Sequence, residues 1–221
     1  MPDHRSRAVV FDFDYTLGDS SEGIVLCMNS ALESLGFSPK SPEAICKTIG
    51  LSLDATFEAL TGLGDGETRR AFTKAYIRRA DEILERHIVI FPAVPGALRQ
   101  LRAHGCALGI VSTKFRYRIQ PVLERDGLLD AFGVVIGGED VAEFKPAPEG
   151  LLKAIETLGA TPAEAVYVGD SVTDVETAAR AGVRCLIVLS GVTPREAFHG
   201  RPVWAVLNDV AEVPAFIENH L

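Results

Sequence analysis

Short apolar runs rich in β-branched residues alternate with longer amphipathic stretches along most of the chain, and one interval breaks that rhythm. The runs are 8-AVVF-11, 107-ALGIV-111, 134-VVI-136, 165-AVYV-168, 184-RCLIVL-189 and 203-VWAVL-207. Their length and composition predict buried strands. Stretches such as 148-PEGLLKAIETL-158 and 171-SVTDVETAARA-181 repeat apolar positions at helical spacing. Strands alternating with helices predict an α/β fold built on a parallel sheet, and the alternation is strong from Phe91 onward.

The alternation fails between residues 18 and 90. There the pattern reads helix after helix, over 21-SEGIVLCMNSALESL-35, 41-SPEAICKTI-49, 53-LDATFEAL-60 and 67-ETRRAFTKAYIRRADEILERH-87. Ser41 and Pro42 suit an N-cap and a first helical position. Gly36, Gly50 and 62-GLGDG-66 punctuate these helices, and 91-FPAVPG-96 marks the return to the core. The division is therefore discontinuous: residues 1–17 and 88–221 form the core, and residues 18–87 form a helical insertion.

Composition narrows the partners. With 47% hydrophobic and 24% charged residues among 221, the chain can bury a sizeable core. Its formal charge of -8 comes without any basic block, which argues against nucleic acid. The longest apolar runs fall far short of the ~20 residues that span a bilayer, so no membrane is expected. The first residues, 1-MPDHRSRAVVFDFD-14, reach acids before a signal-like segment is complete, and a cytoplasmic location is the expectation. The four cysteines and five histidines are scattered without metal-ligand spacing, and buried free thiols are expected.

Acids, hydroxyls and a lysine gather where strands end. Asp12 and Asp14 close the first strand on one side of its pleat, and such close carboxylates repel unless something neutralises them. Ser112 follows the strand 107–111, with Thr113 and Lys114 beside it; Lys145 precedes Pro146 just before a helix. Asp170 and Asp174, in 166-VYVGDSVTDVETA-178, are four residues apart and share a helical face. Each piece alone has a plain structural reading: a capped turn, an N-cap hydroxyl, a solvated lysine, acids at a helix N-terminus.

Together, Asp12-x-Asp14-x-Thr16, Ser112, Lys145 and Gly169-Asp170-x-x-x-Asp174 resemble the four motifs of the haloacid dehalogenase superfamily of phosphohydrolases, over essentially the whole chain. The stretches 91-FPAVPGALRQLRAHGCALGIVSTK-114 and 144-FKPAPEGLLKAIETLG-159 resemble the phosphoglycolate phosphatase-like group. The resemblance implies a Rossmann-like core with helices on both faces, a mobile helical cap over the active site, and Mg²⁺ as cofactor. Tyr15 stands where many relatives carry Gly, and Ser112 where many carry Thr.

By that resemblance Asp12 is the nucleophile that becomes an aspartyl phosphate, and Asp14 is the general acid and then base. Mg²⁺ would be held by the Asp12 carboxylate, the Asp14 carbonyl and Asp170, with Asp174 in support. Ser112, Lys145 and Thr16 form the phosphate-binding set, Thr16 also orienting Asp14 or its loop. The substrate is a small phosphorylated metabolite, and the chain is a monomer or a homodimer. A pyrophosphatase or a β-phosphoglucomutase-like mutase of the same superfamily is the alternative. Asp14 counts against a dehalogenase, and 50-GLSLDATF-57 lacks the Gly-x-x-Arg of mutases. A phospho-accepting signalling module also uses strand-end acids but has no use for a 70-residue insertion. The basic residues Arg69, Arg70, Lys74, Arg78 and Arg79 read as a solvated helix face paired with nearby acids.

Overall fold

The computed structural model describes residues 8–64 and 66–220. Residues 1–7 of the expected core segment, Asp65 of the 62–66 cluster and Leu221 lie outside the described residues. In chain order the elements are β1 (Ala8–Phe11), β2 (Gly18–Asp19), α1 (Ser21–Ser34), α2 (Pro42–Cys46), α3 (Leu53–Thr61), α4 (Gly66–Ile83) and β3 (Val89–Ile90). There follow α5 (Val94–Ala103), β4 (Ala107–Val111), α6 (Arg116–Arg125), β5 (Val134–Ile136), α7 (Glu149–Thr157) and β6 (Ala165–Gly169). The last four are α8 (Val172–Ala181), β7 (Arg184–Val188), β8 (Ala205–Leu207) and α9 (Val213–Asn219). No helix among the described residues is long and apolar enough to cross a membrane.

The chain divides into two compact units. One runs to Gly18 and resumes at Ile90; the other is Asp19–Val89. In the first, six strands form a sheet in the order β5-β4-β1-β6-β7-β8, with parallel pairing throughout. All four residues of β1 are buried, as a central strand covered on both faces requires. One side of this core packs Val10, Tyr167 and Ile187 against Leu151, Ile155 and Val175 of α7 and α8. The register sets Phe11 opposite both Ile110 and Val168, so the residues just past β1, β4 and β6 emerge along one carboxyl edge.

The inserted unit is helical, with its own apolar centre. Phe57 lies 5.1 Å from Phe72 and 5.9 Å from Phe37, ring centre to ring centre. The Ser41 hydroxyl accepts from Ala44 N–H with Pro42 at the start of α2, as the sequence predicts, but α2 ends at Cys46 rather than Ile49. The long helix is α-helical to Ile83 and then tightens into a 3₁₀ turn over Leu84–His87. On its basic face Arg79 pairs with Glu82 at 2.8 Å, and Arg69 reaches Asp54 at 3.4 Å. The four cysteines are free, three of them buried.

Candidate active site

The site begins where β1 ends. Asp12 N–H still donates to Val168 O of β6 at 2.8 Å, and the chain then folds into a tight loop around one carbonyl. Phe13 O accepts from the amides of Thr16, Leu17 and Gly18, while Phe13 N–H donates to Asp12 Oδ1 at 2.7 Å. Tyr15 closes the turn with φ of +62°, a left-handed conformation that glycine adopts without cost and other residues adopt with strain. The Ser190 hydroxyl, just past β7, donates to the Tyr15 carbonyl and holds that conformation.

Three carboxylates converge at this edge: Asp12, Asp170 and Asp174 each place an oxygen within 4.8 Å of the others. Their surroundings differ sharply. Asp174 is saturated, since Oδ1 meets Lys145 Nζ at 2.7 Å and the Tyr167 hydroxyl at 3.1 Å. Its Oδ2 accepts from the amides of Asp170 and Ser171 and from the Ser171 hydroxyl at 2.6 Å. Gly169 makes this possible, because a Cβ there would stand 2.4 Å from Asp174 Cγ. Asp170, only 5% exposed, has one long hydrogen bond, from Thr16 Oγ1 at 3.3 Å to Oδ1. Its Oδ2 lies against Gly191, where a Cβ would come within 2.0 Å.

Charge follows contact. Burial raises the Asp12 carboxyl from 3.8 to about 6, with Lys145 opposing and Asp174 and Asp14 adding repulsion. Asp170 is pushed well above the carboxylate range, by burial first and then by Asp174 and Asp12. Burial also acts on Asp174, but Lys145 and Ser171 outweigh it and hold this acid below its usual value. Lys145 is the reverse: despite its burial, Asp12 and Asp174 keep it firmly charged. A buried carboxylate with one weak donor, beside a second carboxylate turned to the same point, is a donor set that a hard divalent cation satisfies through oxygen. The residues therefore fit a divalent metal.

A family model described as haloacid dehalogenase-like hydrolase matches residues 9–188. The chain belongs to the haloacid dehalogenase-like hydrolases. This hydrolase is 33% identical over 189 residues to the phosphoglycolate phosphatase of Aquifex aeolicus, covering 84% of its own length and 85% of that protein. It is 33% identical to the phosphoglycolate phosphatase of Escherichia coli over 197 residues, 80% and 78% of the two chains. Among solved structures, a protein from Bacteroides fragilis assigned to the same hydrolases superposes with a TM-score of 0.92 at 40% identity. That match covers 95% of this chain and 100% of the other.

The hydrolase brings the sequence-predicted residues together at one edge, all buried. Lys145 Nζ lies 2.9 Å from Asp12 Oδ2. Ser112 accepts from Lys114 N–H at 3.3 Å, which leaves its own proton free to be donated elsewhere. Thr16 sits fully buried with its hydroxyl on Asp170. Four residues enter that the motifs do not contain. Lys114 Nζ forms a buried ion pair with Asp14 Oδ2 at 3.1 Å, so two lysines face the four acids where the motif count has one. Ser171 has a readable signal, Ser-x-x-Asp ahead of a helix, and α8 does carry that capping box. Tyr167 reads in sequence only as a core strand residue, and Ser190 as part of a turn.

Proposed function

We propose that this hydrolase is a Mg²⁺-dependent phosphatase that cleaves a small phosphomonoester of the phosphoglycolate type through an aspartyl phosphate on Asp12. The observation that carries the proposal is the setting of Asp12: Oδ1 fixed by the Phe13 amide, Oδ2 paired with Lys145, and a second acid two residues on with its own lysine. The names of the curated relatives support the substrate class.

In this reading an Asp12 oxygen bonds to phosphorus while the bond from phosphorus to the leaving oxygen breaks, and Asp14 gives its proton to that oxygen. Asp14, now a carboxylate, takes a proton from water as the water bonds to phosphorus and the Asp12 oxygen leaves. Lys114 holds Asp14 in place and pairs with it whenever it is a carboxylate. Lys145 and Ser112 donate to phosphoryl oxygens as charge redistributes. Asp12, Asp170 and the Asp14 carbonyl would hold Mg²⁺, which when bound offsets the charge of the acids and of the phosphoryl group. Thr16 orients Asp170, and Asp174, with donors on both oxygens, orients Lys145.

The test is phosphate release from a panel of phosphomonoesters and pyrophosphate, with Mg²⁺ and with excess chelator. The proposal expects a small phosphomonoester to rank first by kcat/KM and release to stop in chelator. Release unaffected by chelator, or pyrophosphate ranked first, would overturn it.

A further inference from the structure

The Tyr167 hydroxyl is the one side-chain polar group in β6, and the residue has no exposed surface. It meets groups from three other parts of the core. Val111 O at the end of β4 is 3.0 Å away, Asp174 Oδ1 3.1 Å and Lys145 Nζ 3.2 Å. A phenol has one proton to give and lone pairs to receive. Val111 O and Asp174 Oδ1 only accept, so the proton serves one of them, and a lone pair remains for Lys145 in either arrangement.

The count for Lys145 is then complete. Its three protons meet Asp12 Oδ2 at 2.9 Å, Asp174 Oδ1 at 2.7 Å and the Tyr167 oxygen at 3.2 Å. A phosphoryl oxygen can gain a proton from this ammonium only if one of those acceptors loses it. The ammonium is a charged donor to all three, but the two carboxylates are charged acceptors and nearer, whereas the phenol is neutral and farthest, which makes it the weakest of the three.

We propose that Tyr167 is a positioning residue whose hydroxyl accepts the third Lys145 proton in the ligand-free site and surrenders it to a phosphoryl oxygen on binding. The inference rests on the phosphatase reading, since it gives Lys145 a phosphoryl oxygen to hold. In Tyr167→Phe that donor has no acceptor until phosphate arrives. The unliganded site is then the less stable of the two states, and phosphate binding is favoured.

Calorimetric titration of inorganic phosphate into the Mg²⁺-loaded protein tests this, with folding of the variant checked by circular dichroism. The expected result for Tyr167→Phe is phosphate binding about fivefold tighter than wild type, on the scale of one buried hydrogen bond, with KM for a phosphomonoester falling in parallel. A merely structural role predicts weaker binding. Equal or weaker binding in the folded variant overturns the inference and leaves the phosphatase reading intact, whereas a wild type that binds no phosphate overturns both. Should the variant not fold, wild type carrying 3-fluorotyrosine supplies the test. The Tyr167 fluorine resonance must move when phosphate saturates the site, and an unmoved resonance contradicts the inference.

Discussion

Asp170 and Asp174 are four residues apart in one motif, yet their hydrogen bonds give them opposite electrostatic fates. Asp174 collects partners for both oxygens, while Asp170 has Thr16 alone among the described residues, and burial with repulsion keeps it reluctant to ionise. An acid whose folded-state pKa is raised contributes stability that is full below its unfolded value and lost as pH rises. For Asp12 that window runs from 3.8 to about 6, and Asp170 adds to it in the same direction. In chelator, urea midpoints should therefore fall across this window, and Mg²⁺ should flatten the fall. Asp170→Asn should unfold at higher urea than wild type in chelator near pH 7 and should gain nothing from Mg²⁺. Wild-type stability in chelator that stays flat over this window would contradict the account. Asp12→Asn keeps the shape but loses nucleophile and charge, so kcat should drop at least roughly a thousandfold in a phosphate-release assay.

At the scale of elements, the site is a consequence of register. Pairing β1 with β4 and β6 so that Phe11 faces Ile110 and Val168 delivers Asp12, Ser112 and Asp170 to one edge with no long-range search by side chains. The helix that follows β6 is fastened by its own cap: Ser171 Oγ accepts from Asp174 N–H and donates to Asp174 Oδ2. Ser171→Ala should cost about 1 kcal/mol in urea unfolding. It should also lower kcat/KM by freeing the Asp174 carboxylate; unchanged kinetics would separate the cap from the site. This level was largely legible in the sequence, because buried strands and capping boxes leave local signatures: the runs at 8–11, 107–111 and 134–136 coincide with β1, β4 and β5. The two-residue strands β2 and β3 carry no period to read, and α6 holds Pro121 inside it. Contacts such as Lys114 with Asp14, or Tyr167 with Lys145, join residues far apart in sequence whose types alone do not pair them.

For the whole molecule, the proposed reaction has the core residues act on the phosphoryl group, which every phosphomonoester shares. We propose that the choice among leaving groups comes from the inserted unit Asp19–Val89. Substitutions in its turn at residues 50–53 should reorder a substrate panel mainly through KM, whereas changes at Asp12 or Asp14 should lower kcat for every substrate. An unchanged ranking would move specificity to the core loops. The central claim, that Asp12 carries the phosphoryl group in transit, has a direct test in Asp14→Asn, which removes the base but keeps the nucleophile. Rapid quenching of this variant with Mg²⁺ and an activated phosphoryl donor, followed by peptide mass spectrometry, should find one phosphoryl group on Asp12, longer-lived than in wild type and absent in chelator. Phosphate release by the wild type with no phosphoryl group ever captured on the Asp12 peptide would contradict the account.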